Sequence, residues 1–393
     1  MKKILLGALL CGGFLNPVHS HSGADIDRLN HRIDELENSL LLSKHSKGKI
    51  SSFESLSLSL GGYFNLTGTS WSLPHARNVQ TFDEVEMGLM LNGQVSENLS
   101  FFSHIEFEQE REIVNHHAYF RTFGDDDQQV EVEDLFLTYR SNDILSFNFG
   151  ALITPFGVSN REHFDFLRWQ NEKPLALREN QGEFIFFDDH VRGFSVDTRY
   201  QLDRGLLESS LYLGSIDEDR NRFATGYRLG YRSEEGNLKV GTSFQTGQRS
   251  SFGRYYSFGL DMKARIGFFE FRSELFMSDL DQSKNRIDQN PISFYFEPWY
   301  HLVDHRHILY SRFDYLHDTL GIRYLDHDRD VNTEALRDPV EFYEYTFGYN
   351  FLPIANWRIS LGVSRTVYVG KNNRLDGISR DFTSIEWGTV LSF

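Results

Sequence analysis

Histidine and acidic residues are where this chain could hold chemistry, and they come in runs. His116-His117 stand together, and Asp304-His305-Arg306-His307 forms a second group with His301 and His327 nearby. Imidazoles converging with carboxylates suit a transition metal, and His305 and His307 share one parity of an extended strand. A solvated loop explains the same residues more simply, so no metal is assigned. Asp125, Asp126 and Asp127 in FGDDDQQ offer oxygen ligands for calcium or for cation-bridged lipopolysaccharide. They lack the spaced acidic-plus-glycine pattern of a calcium loop and read as an acidic turn. No G-x-S-x-G stands in the chain, and Ser and His occur too freely to single out a hydrolytic pair. The expectation is a protein without catalysis and without a cofactor.

A second set of candidates is charged and shares one segment. Between Thr154 and Asp189 stand Arg161, Glu162, Asp165, Arg168, Glu172, Lys173 and Arg178. Roughly thirty residues without a regular pattern are uncommon in a compact domain and usually functional. Such a segment either folds into a pore and narrows it, or lies outside and caps a neighbouring subunit.

The elements that must position these residues have a period of two. YYSFGLDMKARIG sets Tyr256, Phe258, Leu260, Met262, Ala264 and Ile266 against Ser257, Gly259, Asp261, Lys263 and Arg265. WRISLGVSRTVYVG sets Trp357, Ile359, Leu361 and Val363 against Arg358, Ser360, Gly362 and Ser364. The apolar parity begins and ends in Tyr, Phe or Trp, while the other is rich in Arg, Glu, Asp and Gly. That pattern is a lipid-facing band with aromatic girdles around a wet interior. The parity assigns Arg199, Arg228, Arg232, Lys263, Arg265, Arg272, Arg323 and Arg358 to the lumen, with Asp261, Glu270 and Glu344 among the carboxylates there. Substituting Arg228 or Arg265 is therefore expected to change ion selectivity at little cost in stability.

About seventeen stretches between residues 55 and 393 alternate in this way, one of them near 320–326. Bacterial single-chain barrels have even strand numbers, so the expected fold is an all-β transmembrane antiparallel barrel of about 16 strands, with 18 as the alternative. Leu202–Gly205 and Glu234–Asn237 read as tight turns. Polar links near 111–129, 155–190, 280–291 and 327–340 read as loops at the opposite end. The terminal strand closes on Phe393, since an unpaired edge in lipid strands backbone donors and acceptors.

The amino-terminal region differs. Lys2 and Lys3, an apolar run from Ile4 to Leu15, and Val18-His19-Ser20 make residues 1–20 a secretory leader. Its removal takes away Cys11, the one cysteine, and shifts the formal charge from −16 to −18. An exported, acidic chain with 15% aromatics and no thiol is no nucleic-acid binder and has no disulfide to rely on. Residues 21–54 hold Ile26, Leu29, Ile33, Leu36 and Leu40 at heptad spacing, a short periplasmic coiled coil or a single amphipathic helix, followed by a polar linker. Residues 55–393 form the barrel.

A local motif adds a resemblance. ILSFNFGALITPFGVSN, with Pro155-Phe156-Gly157 after a strand ending in Gly150, a long charged segment, and Arg192-Gly193 opening the next strand, resembles the porin O and P family. VEVEDLFLTYRS, residues 130–141, resembles the preceding strand of that family. The resemblance implies a trimeric sixteen-stranded barrel of the Gram-negative outer membrane, some members carrying an amino-terminal coiled coil. At its last strand the chain also resembles the many outer-membrane barrels that end in a terminal Phe, which implies that Phe393 is read by the barrel-assembly machinery. Relatives selective for phosphate carry an arginine ladder and a lysine cluster; after residue 20 this chain has eight lysines (44, 47, 49, 173, 239, 263, 284 and 371). Mixed charge on the lumen parity creates a transverse field rather than a one-sign funnel.

The expected function is passive diffusion of small hydrophilic solutes, polar or charged, by a homotrimer embedded among outer-membrane lipid and lipopolysaccharide. The alternatives are a phosphate- or anion-selective porin, or a non-conducting structural, adhesive or enzymatic barrel.

Overall fold

The computed structural model describes residues 57–72, 79–116, 119–162, 173–177, 186–216, 219–249, 253–282, 287–302, 306–318, 340–370 and 381–393. The leader, the heptad segment and the expected strand near 320–326 lie outside these residues. The strands are β1 (Ser57–Ser72), β2 (Val79–Gln94), β3 (Leu99–His116), β4 (Tyr119–Arg140), β5 (Leu145–Ile153), β6 (His190–Leu202), β7 (Gly205–Ile216), β8 (Asp219–Ser233) and β9 (Leu238–Arg249). They continue as β10 (Gly253–Ile266), β11 (Phe269–Gln282), β12 (Ile287–Gln289), β13 (Ile292–His301), β14 (His307–Asp318), β15 (Val340–Ile354), β16 (Trp357–Gly370) and β17 (Asp381–Ser392).

Every strand runs antiparallel to its neighbours in one sheet, and β1 pairs with both β2 and β17, so the sheet closes on itself. At the seam the Gly62 N–H donates to the Phe393 carbonyl at 3.0 Å, and the Phe393 N–H returns the bond at 2.9 Å. β12 and β13 are one spanning strand. Gln289 stands opposite Leu280 and Ile292 opposite Met277, in a single continuous register along β11. The break falls at Asn290-Pro291, because proline has no N–H to continue the ladder. The Pro291 carbonyl still accepts from the Ser278 N–H at 3.0 Å. The barrel therefore has sixteen spanning strands.

Alternation decides what faces lipid. On β16, Ile359, Leu361 and Val363 are exposed while Arg358, Ser360 and Ser364 are buried. On β10, Tyr256, Leu260 and Met262 are exposed while Ser257 and Asp261 are buried. An apolar outside with a polar inside inverts a soluble protein and suits a bilayer. Short turns join β2 to β3, β4 to β5, β6 to β7, β8 to β9, β10 to β11 and β15 to β16 at the end where β1 begins.

One expected loop is sheet. Residues 111–129 largely continue the β3–β4 hairpin, with Glu110 opposite Asp127 and Arg111 opposite Asp126. FGDDDQQ is therefore part of β4 and not a turn. Where a hairpin has polar residues on both parities, the period-two signal vanishes although the backbone ladder persists.

Candidate functional site: an infolded segment against a charged wall

After β5 the chain turns into the barrel instead of out of it. The Thr154 N–H donates to the Asp189 carbonyl at 2.7 Å, and the Asn160 side-chain amide donates to the carbonyls of Thr154 (2.7 Å) and Asp189 (3.2 Å). These bonds clamp the outgoing and returning chain into one neck. Gly157 then takes a left-handed φ of 69°, where a Cβ would come 2.2 Å from a Glu274 carboxylate oxygen. Both the conformation and the contact require glycine.

From that turn the segment lies along the inner wall. The Gly157 N–H donates to Ser243 Oγ on β9 at 3.1 Å. The N–H groups of Val158 and Ser159 donate to the Glu274 carboxylate on β11 at 3.1 and 2.7 Å. Tyr295 on β13 donates its hydroxyl to the same carboxylate at 2.5 Å. Further on, the Leu175 N–H donates to Asp314 Oδ1 on β14 at 3.2 Å, and Arg312 donates to the Lys173 carbonyl at 3.3 Å. On the return, the Asp188 N–H donates to Gln245 Oε1 at 2.9 Å, and the Tyr255 hydroxyl donates to the Asp188 carboxylate. In a ring of sixteen, β14 is the eighth strand from β5, so the segment reaches halfway round the lumen.

Apolar packing holds it there. Phe156, Leu175, Ala176, Leu177, Phe186 and Phe187 are buried against Tyr212, Tyr255, Phe276, Leu280, Tyr295, Leu316 and Phe342 of the wall. Phe156 stacks on Phe187 with ring centroids 4.5 Å apart. The sequence reading treated the interior as wet throughout and missed this set. A signal was present: Phe276 and Leu280 stand on the same parity as Glu270, Arg272 and Glu274.

The charged residues pair across strands. Arg228 on β8 holds Asp261 on β10 with two bonds of 2.6 and 2.8 Å, and donates to Ser243 at 2.9 Å. Its guanidinium passes over Gly241, where a Cβ would be 2.4 Å away. Glu162 on the infolded segment accepts from Arg272 and, at 3.2 Å, from Lys263. Lys263 also lies 3.5 Å from Glu270, which is 3.4 Å from His301. The Arg272 guanidinium sits 5.0 Å from the Trp299 ring centroid. Arg312 bridges Asp314 at 2.5 Å and Glu344 at 3.1 Å. Arg199 lies 3.4 Å from Glu208, with Arg161 in electrostatic range of both. Burial alone would raise the pKa of Glu162, but the nearby charges of Arg272, Lys263 and Lys239 outweigh it and hold the carboxyl down at about 2.

Of the other sequence candidates, Arg358 is buried on the interior parity, while Arg232 and Arg265 are half-buried near the short turns. Asp165, Arg168, Glu172, Arg178 and Arg323 lie outside the described residues. Arg228 corrects one expectation: a buried, bidentate pair is not cheap to break. Of the histidine runs singled out in the sequence, His301 and His307 do not meet among the described residues. His301 faces Glu270, whereas His307 bonds the Tyr349 hydroxyl and stacks on Phe351 at 5.0 Å. His305 and His327 lie outside the described residues.

Opposite this wall stands a group that the sequence reading did not single out. Glu86 on β2, His104 and Glu106 on β3, and Glu133 and Asp134 on β4 face the interior. β2 and β3 are the eighth strands from β10 and β11, which carry Lys263 and Arg272. The lumen therefore sets a wall of paired cations and carboxylates, covered by the infolded segment, against one on which acidic groups predominate.

No protein-family profile matches the chain, and no curated protein matches it in sequence. Solved structures do match in fold. The in-vitro folded trimer form of OmpT, an outer membrane protein of Vibrio cholerae, aligns with a TM-score of 0.56 at 12% identity, covering 86% of this chain and 100% of that one. The anion-selective porin from Comamonas acidovorans aligns at 0.58 and 10% identity, covering 86% and 100%. The outer membrane channel DcaP of Acinetobacter baumannii aligns at 0.56 and 11% identity, covering 88% and 100%. With its closed ring of sixteen antiparallel strands and its apolar outer belt, this chain has the fold of the Gram-negative outer-membrane porin barrels.

Proposed function

We propose that this protein is a porin: a passive diffusion channel for small polar or charged solutes, working as a homotrimer in the outer membrane without catalysis or cofactor. One observation carries the reading. The described residues of a segment anchored along half of the inner wall occupy part of the lumen, and Glu162 on it sits between Lys263 and Arg272. Solutes are sieved by width, and lumen guanidinium and carboxylate groups replace part of their hydration. The trimer form of the Vibrio neighbour and the porin O and P resemblance support the oligomer. Residues 26–40 then serve as a periplasmic coiled coil, and the chain is delivered by the barrel-assembly machinery.

Anion selectivity is the second reading. The Comamonas neighbour, described as an anion-selective porin, and the cations Arg161, Arg199, Arg232 and Lys239 along β6 to β9 and the infolded segment favour it. The acidic opposite wall favours orientation of dipolar solutes over a one-sign funnel. Planar-bilayer conductance with reversal potential across a salt gradient tests both. Stepwise openings in threes are expected, and the sign of the potential decides between anion and cation preference. Silence from folded protein would overturn the porin reading in favour of a closed structural or enzymatic barrel.

A further inference from the structure

We propose that an irregularity in β4 builds a divalent transition-metal site in the barrel wall, with His104, Glu133 and Asp134 as ligands and His190 as the fourth. The site does not depend on whether the barrel conducts.

The backbone supplies the geometry. Along β3 and β4, His104 pairs with Asp134 but Ile105 pairs with Val132, so Glu133 is an extra residue with no partner in the ladder. Such a bulge re-aims side chains. Val132 and Leu135, on either side, both point to lipid and are exposed, and the two acidic residues between them turn inward together. His104 Nδ1 then lies 2.7 Å from Glu133 Oε2 and 3.9 Å from Asp134 Oδ2. His190 Nε2, reaching in from β6, lies 3.5 Å from Asp134 Oδ1. The ligand atoms of His104, Glu133 and Asp134 all fall within 4.8 Å of one another, the one such group among the described residues. A tetrahedral ion with bonds near 2.0 Å sets its ligands about 3.3 Å apart, and the observed spacings bracket that value.

Asp134 points to a ligand independently of the spacing. Its side chain is fully buried, and its oxygens are met only by long contacts, His190 Nε2 at 3.5 Å and His104 Nδ1 at 3.9 Å, with no hydrogen bond of ordinary geometry. Burying a carboxylate so loosely paired is unfavourable, and a metal cation bound among the same imidazoles would pair it closely. His190 also has the second contact that metal-binding histidines use. Asp189 Oδ2 lies 3.3 Å from its Nδ1, which leaves Nε2 directed at Asp134. Glu133 is the least buried member, with 27% of its side chain open. Two imidazoles with two carboxylates suit zinc and its borderline neighbours, while calcium and magnesium take oxygen ligands alone. A bound ion would tie β3, β4 and β6 together.

The test uses untagged full-length protein, refolded in detergent and stripped with a chelator. Zinc is titrated calorimetrically, and cobalt(II) is followed by its visible ligand-field bands. One ion per chain is expected, with affinity reduced at least about tenfold in D134N and H104A. D203N, at an exposed turn, should leave it unchanged. E133Q changes the partly exposed ligand and guards against misfolding of the buried variants; it too should weaken binding. Absence of stoichiometric zinc and cobalt binding, retention of full affinity in the folded E133Q and D134N proteins, or a preference for calcium over zinc would each overturn the assignment.

Discussion

Ser159 and Glu274 stand 115 residues apart in sequence, and the Ser159 N–H donates to the Glu274 carboxylate at 2.7 Å. With the Val158 N–H at 3.1 Å and the Tyr295 hydroxyl at 2.5 Å, one side chain of β11 pins the infolded segment to the wall. E274Q keeps the shape but replaces one acceptor oxygen by an amide NH2 that opposes either the Val158 N–H or the Ser159 N–H with the Tyr295 hydroxyl. Larger and noisier single-channel conductance is expected, with loss of roughly 1–3 kcal/mol of stability. Conductance indistinguishable from the parent would show that this anchor does not set the width.

Gly157 should tolerate no side chain. G157A forces a left-handed φ on alanine and drives its Cβ into the Glu274 carboxylate. The cost is about 1–3 kcal/mol, read as a lower temperature for the heat-dependent shift in gel mobility. An unshifted transition would mean that the turn relaxes freely.

Arg228 and Arg265 should behave differently. R228A leaves Asp261 buried without its bidentate partner, a loss of about 3–5 kcal/mol. R265A removes a half-buried group whose Nε donates only weakly to the Gly267 carbonyl at 3.4 Å, and stability should stay within about 0.5 kcal/mol. Both should move the reversal potential towards cations. Thermal unfolding in detergent separates the two; equal costs would refute the distinction.

Glu162 sets a pH window. It belongs to the infolded segment rather than to a spanning strand, and its folded pKa of about 2 lies below the ordinary value of 4.5. A depressed carboxyl contributes stability that is fully present above the unfolded pKa and is lost as pH falls through the folded one. The melting difference between the parent and E162Q should therefore be constant from pH 7 to about 5 and shrink between about 4.5 and 2. A difference that collapses already between pH 7 and 5 would falsify the assigned charge state.

The acidic pair of β4 shows how much was legible and how much was overlooked. In VEVEDLFL the apolar parity is even at Val130 and Val132 and odd at Leu135 and Leu137, so two consecutive acids mark the bulge in the sequence itself. That His104 and His190 would meet them was not legible, because β6 reaches that point across β5 and 36 residues of intervening chain. The histidine runs that did stand out have separate partners or lie outside the described residues.

By itself the sequence determined the barrel. Facing has a period of two, every residue casts a vote, and a one-residue slip would put charge into lipid, so strand identity and the lipid face were readable directly. Only the tertiary structure decided what the interior holds. Inside a closed ring, the infolded segment leaving β5 meets partners up to half the circumference away, such as Asp314 with Leu175. Interior aromatics such as Phe276 and Tyr255 look like errors in a polar parity until the infolded segment arrives to cover them. Local pattern sets which way a side chain points; closure of the ring sets what it meets there.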